Sequence, residues 1–179
     1  MTSNTKKAAV LATVFALGLA AGAALAKKGV LAADLFVGKP KAEAASMLLG
    51  AAKELAGKGS WENIAVGRVY YLGGRQKDGQ EIFDRITSSP KVAASDWIRI
   101  GRVYYEAGEW DKAKAAFDKV LQLKPDDEDW LSEIGAYYNL KGDRAKAEEY
   151  FTKSFTRDSG NLYNSLRVAG SYLGVKPLY

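Results

Sequence analysis

The sequence predicts an all-α fold of stacked helix hairpins. One period supports this: Gly67, Gly101 and Gly135 lie 34 residues apart, and so do Tyr70, Tyr104 and Tyr138, and Phe83, Phe117 and Phe151. Within each period, apolar residues recur at helical spacing in two runs separated by Gly74, Gly108 or Gly142. The phase also extends outward, back to Ala45 and Leu49 and forward to Tyr172. Self-similarity of this length marks units that bury their apolar faces only against their neighbours.

At the N-terminus, Lys6 and Lys7 precede an uncharged stretch from Ala8 to Ala26, and Ala24-Leu25-Ala26 stands before Lys27 and Lys28. This layout reads as a secretory signal peptide over 1–26, cleaved near Ala26, which places the mature protein in a periplasmic or secreted, extracytoplasmic space. The rival reading is an uncleaved anchor, because a helix of this length nearly matches a hydrocarbon core of roughly 30 Å. Gly18 and Gly22 then form a G-x-x-x-G packing face. Membrane contact is expected only if the segment is retained. Residues 27–39 read as a flexible lead.

The amphipathic stretch 41–57 is the second helix of an incomplete leading repeat. Full repeats follow at 60–93, 94–127 and 128–161. In the middle one, Trp97, Ile100, Gly101 and Tyr104 predict a helix over about 95–107; Gly108 breaks it, and Ala113, Phe117 and Val120 continue on a helix over about 110–123 until Pro125. The third repeat answers with Leu131, Ile134, Gly135, Tyr138, Ala147, Phe151 and Ser154, and the first with Val66, Gly67, Tyr70, Phe83 and Ile86. In the first, Asn63 takes the place of the Trp and Gly79 that of the Ala. A Gly inside a helix costs about 1 kcal/mol relative to Ala, so three at one phase predict a neighbouring backbone too close for a side chain. A helix over 162–173 caps the stack.

These residues resemble the tetratricopeptide repeat family, whose pattern of Trp, Leu, Gly and Tyr, then Ala, Phe and Ala, then Pro is met by Trp97, Ile100, Gly101, Tyr104, Ala113, Phe117, Val120 and Pro125. The resemblance implies an α-solenoid of antiparallel helix pairs, about three full repeats with flanking half-repeats, whose first helices line a concave groove. It places the inward positions at Trp61, Ile64, Arg68, Tyr71, Ile98, Arg102, Tyr105, Asn139, Tyr163 and Leu166.

The segment Gly-Arg-Val-Tyr-Tyr occurs at 67–71 and again at 101–105. One Tyr of each copy belongs to the core by period; the other, with the Arg, is expected in the groove. Guanidinium groups take carboxylates in bidentate fashion, so a protein or peptide partner with an acidic group or free C-terminal carboxylate fits. Against this, Arg102 has Glu106 one turn on, an ordinary surface pairing. A chaperone-tail clamp known in the family uses Lys and Asn where Ile64, Arg68, Ile98 and Arg102 stand, so that tail is not expected.

Composition narrows the chemistry. The 179 residues are 47% hydrophobic and 26% charged, with no Cys and no His. A disulfide framework, a thiolate nucleophile and the commonest general base are thereby excluded. The formal charge of +5 falls to +3 without the first 26 residues, too small and too evenly spread to indicate nucleic acid. The acidic run Asp126-Asp127-Glu128-Asp129 lacks the spaced ligands of a calcium loop and reads as a helix start. No catalytic residue, cofactor or metal is expected. The sequence therefore points to an exported adaptor that holds a protein partner, in cell-envelope assembly or maintenance, with a non-catalytic binder of glycan or cell-wall fragments as the alternative.

Overall fold

A computed structural model describes residues 13–24 and 33–177. Among them are nine α-helices, one 3-10 turn and no strand: α1 (13–24), α2 (Lys41–Ala56), α3 (Ser60–Leu72), α4 (Gln76–Thr87), α5 (Ala94–Glu106), α6 (Trp110–Leu123), α7 (Glu128–Leu140), α8 (Arg144–Arg157) and α9 (Leu162–Tyr172). The chain divides into two compact units, residues 1–83 and 84–179, with the boundary inside α4.

In the first unit, α1 lies against α2 at backbone distance. A Cβ on Gly18 would collide with Ser46, one on Gly22 with the Met47 carbonyl, and one on Gly50 with the Leu19 carbonyl. Phe15 extends this contact: its ring lies 6.3 Å from that of Tyr70, and the Arg75 guanidinium sits 4.0 Å from its centroid. Lys6, Lys7 and the cleavage position after Ala26 lie outside the described residues. So does the 27–32 part of the predicted lead. In the rest of that lead Ala33–Leu35 form the 3-10 turn, the Val37 N–H donates to the Ala33 carbonyl at 2.8 Å, and Leu35 is buried. No helix among the described residues is long and apolar enough to cross a membrane.

Asn63 stands at the Trp site because the α2–α3 loop needs it there. Its amide donates to the Gly57 carbonyl just past α2 at 3.1 Å and to the Gly59 carbonyl at 2.7 Å, the same carbonyl that accepts the Asn63 backbone N–H at the start of α3, so one side chain ties the end of α2 to the start of α3.

The second unit holds α5 with α6, α7 with α8, and α9. Each hairpin closes the same way as the one in the first unit. Gly74, Gly108 and Gly142 have φ of 86, 79 and 90°, a region that a side chain disfavours. The next N–H reaches back to the Tyr carbonyl at the core phase: Arg75 to Tyr70 at 2.9 Å, Glu109 to Tyr104 at 2.9 Å and Asp143 to Tyr138 at 3.0 Å. This is the Schellman closure of a helix end. The acidic run starts α7, where the Asp127 carboxylate accepts the Trp130 N–H at 3.1 Å.

The in-helix glycines face a ring, where the sequence had suggested a backbone. A Cβ on Gly67 would come within 2.6 Å of the Phe83 ring, on Gly101 within 2.5 Å of Phe117, and on Gly135 within 2.7 Å of Phe151. Gly101→Leu therefore overpacks a filled notch and is expected to destabilise the fold by about 1–3 kcal/mol, read as a lower urea midpoint at unchanged m-value. An unchanged midpoint would mean that the ring does not seat there.

Candidate partner-binding face

The first helices of the second unit, α5, α7 and α9, are joined by polar side chains one repeat apart. Arg102 of α5 forks onto Glu133 of α7, Nε to Oε1 and Nη2 to Oε2, both at 2.7 Å. The Glu133 side chain is fully buried and that of Arg102 is 11% exposed. Between α7 and α9, the Ser132 hydroxyl donates to Asn164 Oδ1 at 2.7 Å and the Asn139 amide to Ser171 Oγ at 2.9 Å. Arg167 Nη1 donates to Asn164 Oδ1 at 2.6 Å and to Asp129 Oδ1 at 2.9 Å.

Aromatic rings lie beside this ladder. Tyr105 packs on Tyr137 with centroids 4.6 Å apart and meets the Trp110 ring at 6.3 Å. Burial pushes the Tyr105 phenol above its ordinary pKa, so it stays neutral and uncharged in the usual pH range. A cleft of about 340 Å3 opens between Tyr163, Leu166, Arg167 and Gly170 of α9 and Val175, Lys176 and Pro177 beyond it. Lys176 Nζ lies 5.7 Å from the centroid of the Tyr105 ring.

The sequence-predicted residues divide by unit and by burial. In α3, Trp61 and Arg68 are exposed, whereas Ile64 and Tyr71 are each only 3% exposed and belong to the core. Tyr71 sits against the Phe83 ring, centroids 5.6 Å apart, so both tyrosines of the first Gly-Arg-Val-Tyr-Tyr copy are interior. Ile98 is likewise core, at 1% exposure. Arg102 is withdrawn from any ligand carboxylate by Glu133. Tyr105 and Asn139 are half-buried, and Tyr163 and Leu166 are exposed at 70% and 56%. The structure thus brings Tyr105, Asn139, Tyr163 and Leu166 onto the α5, α7 and α9 elements of one unit.

Sequence reasoning missed Glu133, Val175, Lys176 and Pro177. Glu133 carried a usable signal: a lone acid two residues before a core glycine, on the apolar side of its helix, asks for a buried cation.

A family model described as Tetratricopeptide repeat matches residues 94–127, the segment of α5 and α6. Those two helices are thus similar to one tetratricopeptide repeat. Among solved structures, 13 chains match. One is the crystal structure of MamA protein, 17% identical, covering 90% of this chain and 82% of that one with a TM-score of 0.49, a likeness from which nothing about function follows. No curated protein matches. Among the described residues the fold is all-α, built of antiparallel helix pairs of which one matches the tetratricopeptide repeat; proteins with such repeats are generally non-catalytic scaffolds for protein partners.

The Arg102–Glu133 pair sets a stability test with an asymmetry. Removing one partner of a buried pair costs about 3–5 kcal/mol, because the other charge is stranded. Arg102→Ala strands a carboxylate with no route to water and should fall at the upper end of that range. Glu133→Ala leaves a long side chain at the rim that swings into solvent, and should cost less. Urea melts of the two variants check the order.

Proposed function

We propose that this protein is a non-catalytic scaffold whose α5, α7 and α9 face holds an extended peptide from a protein partner. The observation that carries this reading is the conjunction of a rigid polar ladder with exposed Tyr163 and Leu166 beside the cleft. Aromatic and aliphatic side chains mounted on a fixed support lose little freedom on binding, as interface anchors require. The recognition chemistry is apolar and aromatic. The carboxylate clamp expected at Arg102 is already occupied by Glu133 from within the chain.

The pattern of Lys6, Lys7 and the uncharged stretch up to Ala26 supports an extracytoplasmic setting in the cell envelope. The glycine-lined contact of α1 with α2 supports a segment that stays attached. Intact mass of the protein from its own cells is expected to include residues 13–24; a chain beginning at Lys27 would refute retention.

Selection of a random peptide display library on the full chain tests the scaffold. Enriched peptides are expected to bind in solution, and Tyr163→Ala with Leu166→Ala should weaken them at least tenfold while helicity by circular dichroism is unchanged. Retention on a glycan array with no peptide enriched would favour the sugar-binding alternative and overturn this reading.

A further inference from the structure

The segment after α9 follows an unusual course. Gly174, with φ of 79°, and the Val175 N–H, donating to the Gly170 carbonyl at 2.8 Å, repeat the turn that closes the earlier hairpins. After each of those turns the chain enters a second helix at Gln76, Trp110 or Arg144. After this one, residues 175–177 are not helical; Lys176 comes to lie over the Tyr105 ring on α5, and Pro177 is buried.

Resting on the scaffold reading above, we propose that the present occupant of the α5, α7 and α9 face is the chain's own segment Gly174–Pro177, and that the partner is a peptide of the same chemistry. That chemistry is a non-helical stretch with an apolar residue, a cation and then a proline. A carboxylate is not what this face seeks, because Glu133 already satisfies Arg102.

Three features fit such a guest. A cation over a phenol ring at this distance is a recognised attraction. Pro177 has no N–H to leave unpaired, so its burial against the helices carries no donor penalty. The cleft between Tyr163, Leu166 and Gly170 stays partly open, and Val175 is 56% exposed, so the segment is seated at Lys176 and Pro177 and loosely held at Val175 before them. A loosely held internal ligand lowers the apparent affinity of an external one by the fraction of time that it occupies the site.

The test uses a labelled synthetic peptide with the sequence of residues 173–179, Leu-Gly-Val-Lys-Pro-Leu-Tyr, titrated by fluorescence anisotropy. The full chain is compared with the full chain carrying Lys176→Asp and Pro177→Asp, changes outside every helix. The released variant is expected to bind the peptide at least tenfold more tightly than the unaltered chain, and a peptide with Ala in place of Lys176 should bind it at least threefold more weakly. Equal affinities for the two chains, an undiminished Ala peptide, or no binding by the released variant would overturn the proposal. The display-selected peptides separate the two failures. If they bind both chains alike and depend on Tyr163 and Leu166, the tail inference falls and the scaffold stands; if they too fail, both fall.

Discussion

A phenylalanine ring seated in a glycine notch sets the geometry on which the remaining contacts rest. Gly67 with Phe83, Gly101 with Phe117 and Gly135 with Phe151 each pair a missing Cβ on a first helix with a ring on the second, 16 residues later. The ring meets the helix backbone directly, which draws the two helices of a hairpin together. Ala113 and Ala147, both fully buried, then fit where a larger residue would hold the helices apart. The notch offsets the intrinsic cost of a helical glycine, about 1 kcal/mol, by the apolar area of the ring at about 25 cal/mol per Å2. With hairpins fixed this way, the first helices within the second unit share a register in which side chains such as Arg102 and Glu133 find each other.

The buried ion pair follows from that register and guards it. Desolvating a guanidinium and a carboxylate costs several kcal/mol for each ion, so the pair contributes little net stability over apolar residues of the same volume. Its effect is on alternatives. A slip of α5 along α7 by one turn keeps apolar contact but leaves the Glu133 carboxylate buried without its fork, a penalty that the native arrangement avoids. The same pairing removes a positive charge from the face. At that position a partner meets a guanidinium already paired, which moves the expected guest away from acidic peptides.

Helix positions were legible because the period repeats in phase, and the turn glycines, the Phe rings and the end of α6 before Pro125 all follow from it. The fate of individual side chains was less legible, for a reason visible in the two Gly-Arg-Val-Tyr-Tyr copies. Position alone treats Tyr71 and Tyr105 alike. In the first hairpin, however, Gly79 stands where the second has Ala113, and a Cβ there would lie only 2.8 Å from that of Tyr71. The missing methyl lets α4 close over Tyr71, which becomes core, whereas Tyr105 stays half-buried among Tyr137 and Trp110. Likewise Glu133 and Lys176 act across 31 and 71 residues of sequence, distances at which local periodicity carries no information.

The last turn shows how one local rule can yield two outcomes. Gly74, Gly108, Gly142 and Gly174 all adopt positive φ, and at each the following N–H returns to a carbonyl of the helix it leaves. What differs is the sequence that follows. Gln76, Trp110 and Arg144 open amphipathic runs whose apolar side covers the first helix, while Val175-Lys176-Pro177 offers no such run. Chain that cannot form a covering helix still leaves the turn in a fixed direction, and here that direction brings Lys176 to α5. The turn thereby presents a non-helical segment to the face formed by the first helices, and a segment seated by one ring contact and one buried proline is easily exchanged for a better one. Occupancy by the chain itself and recognition of another protein are then the same chemistry, differing only in whether the peptide is tethered.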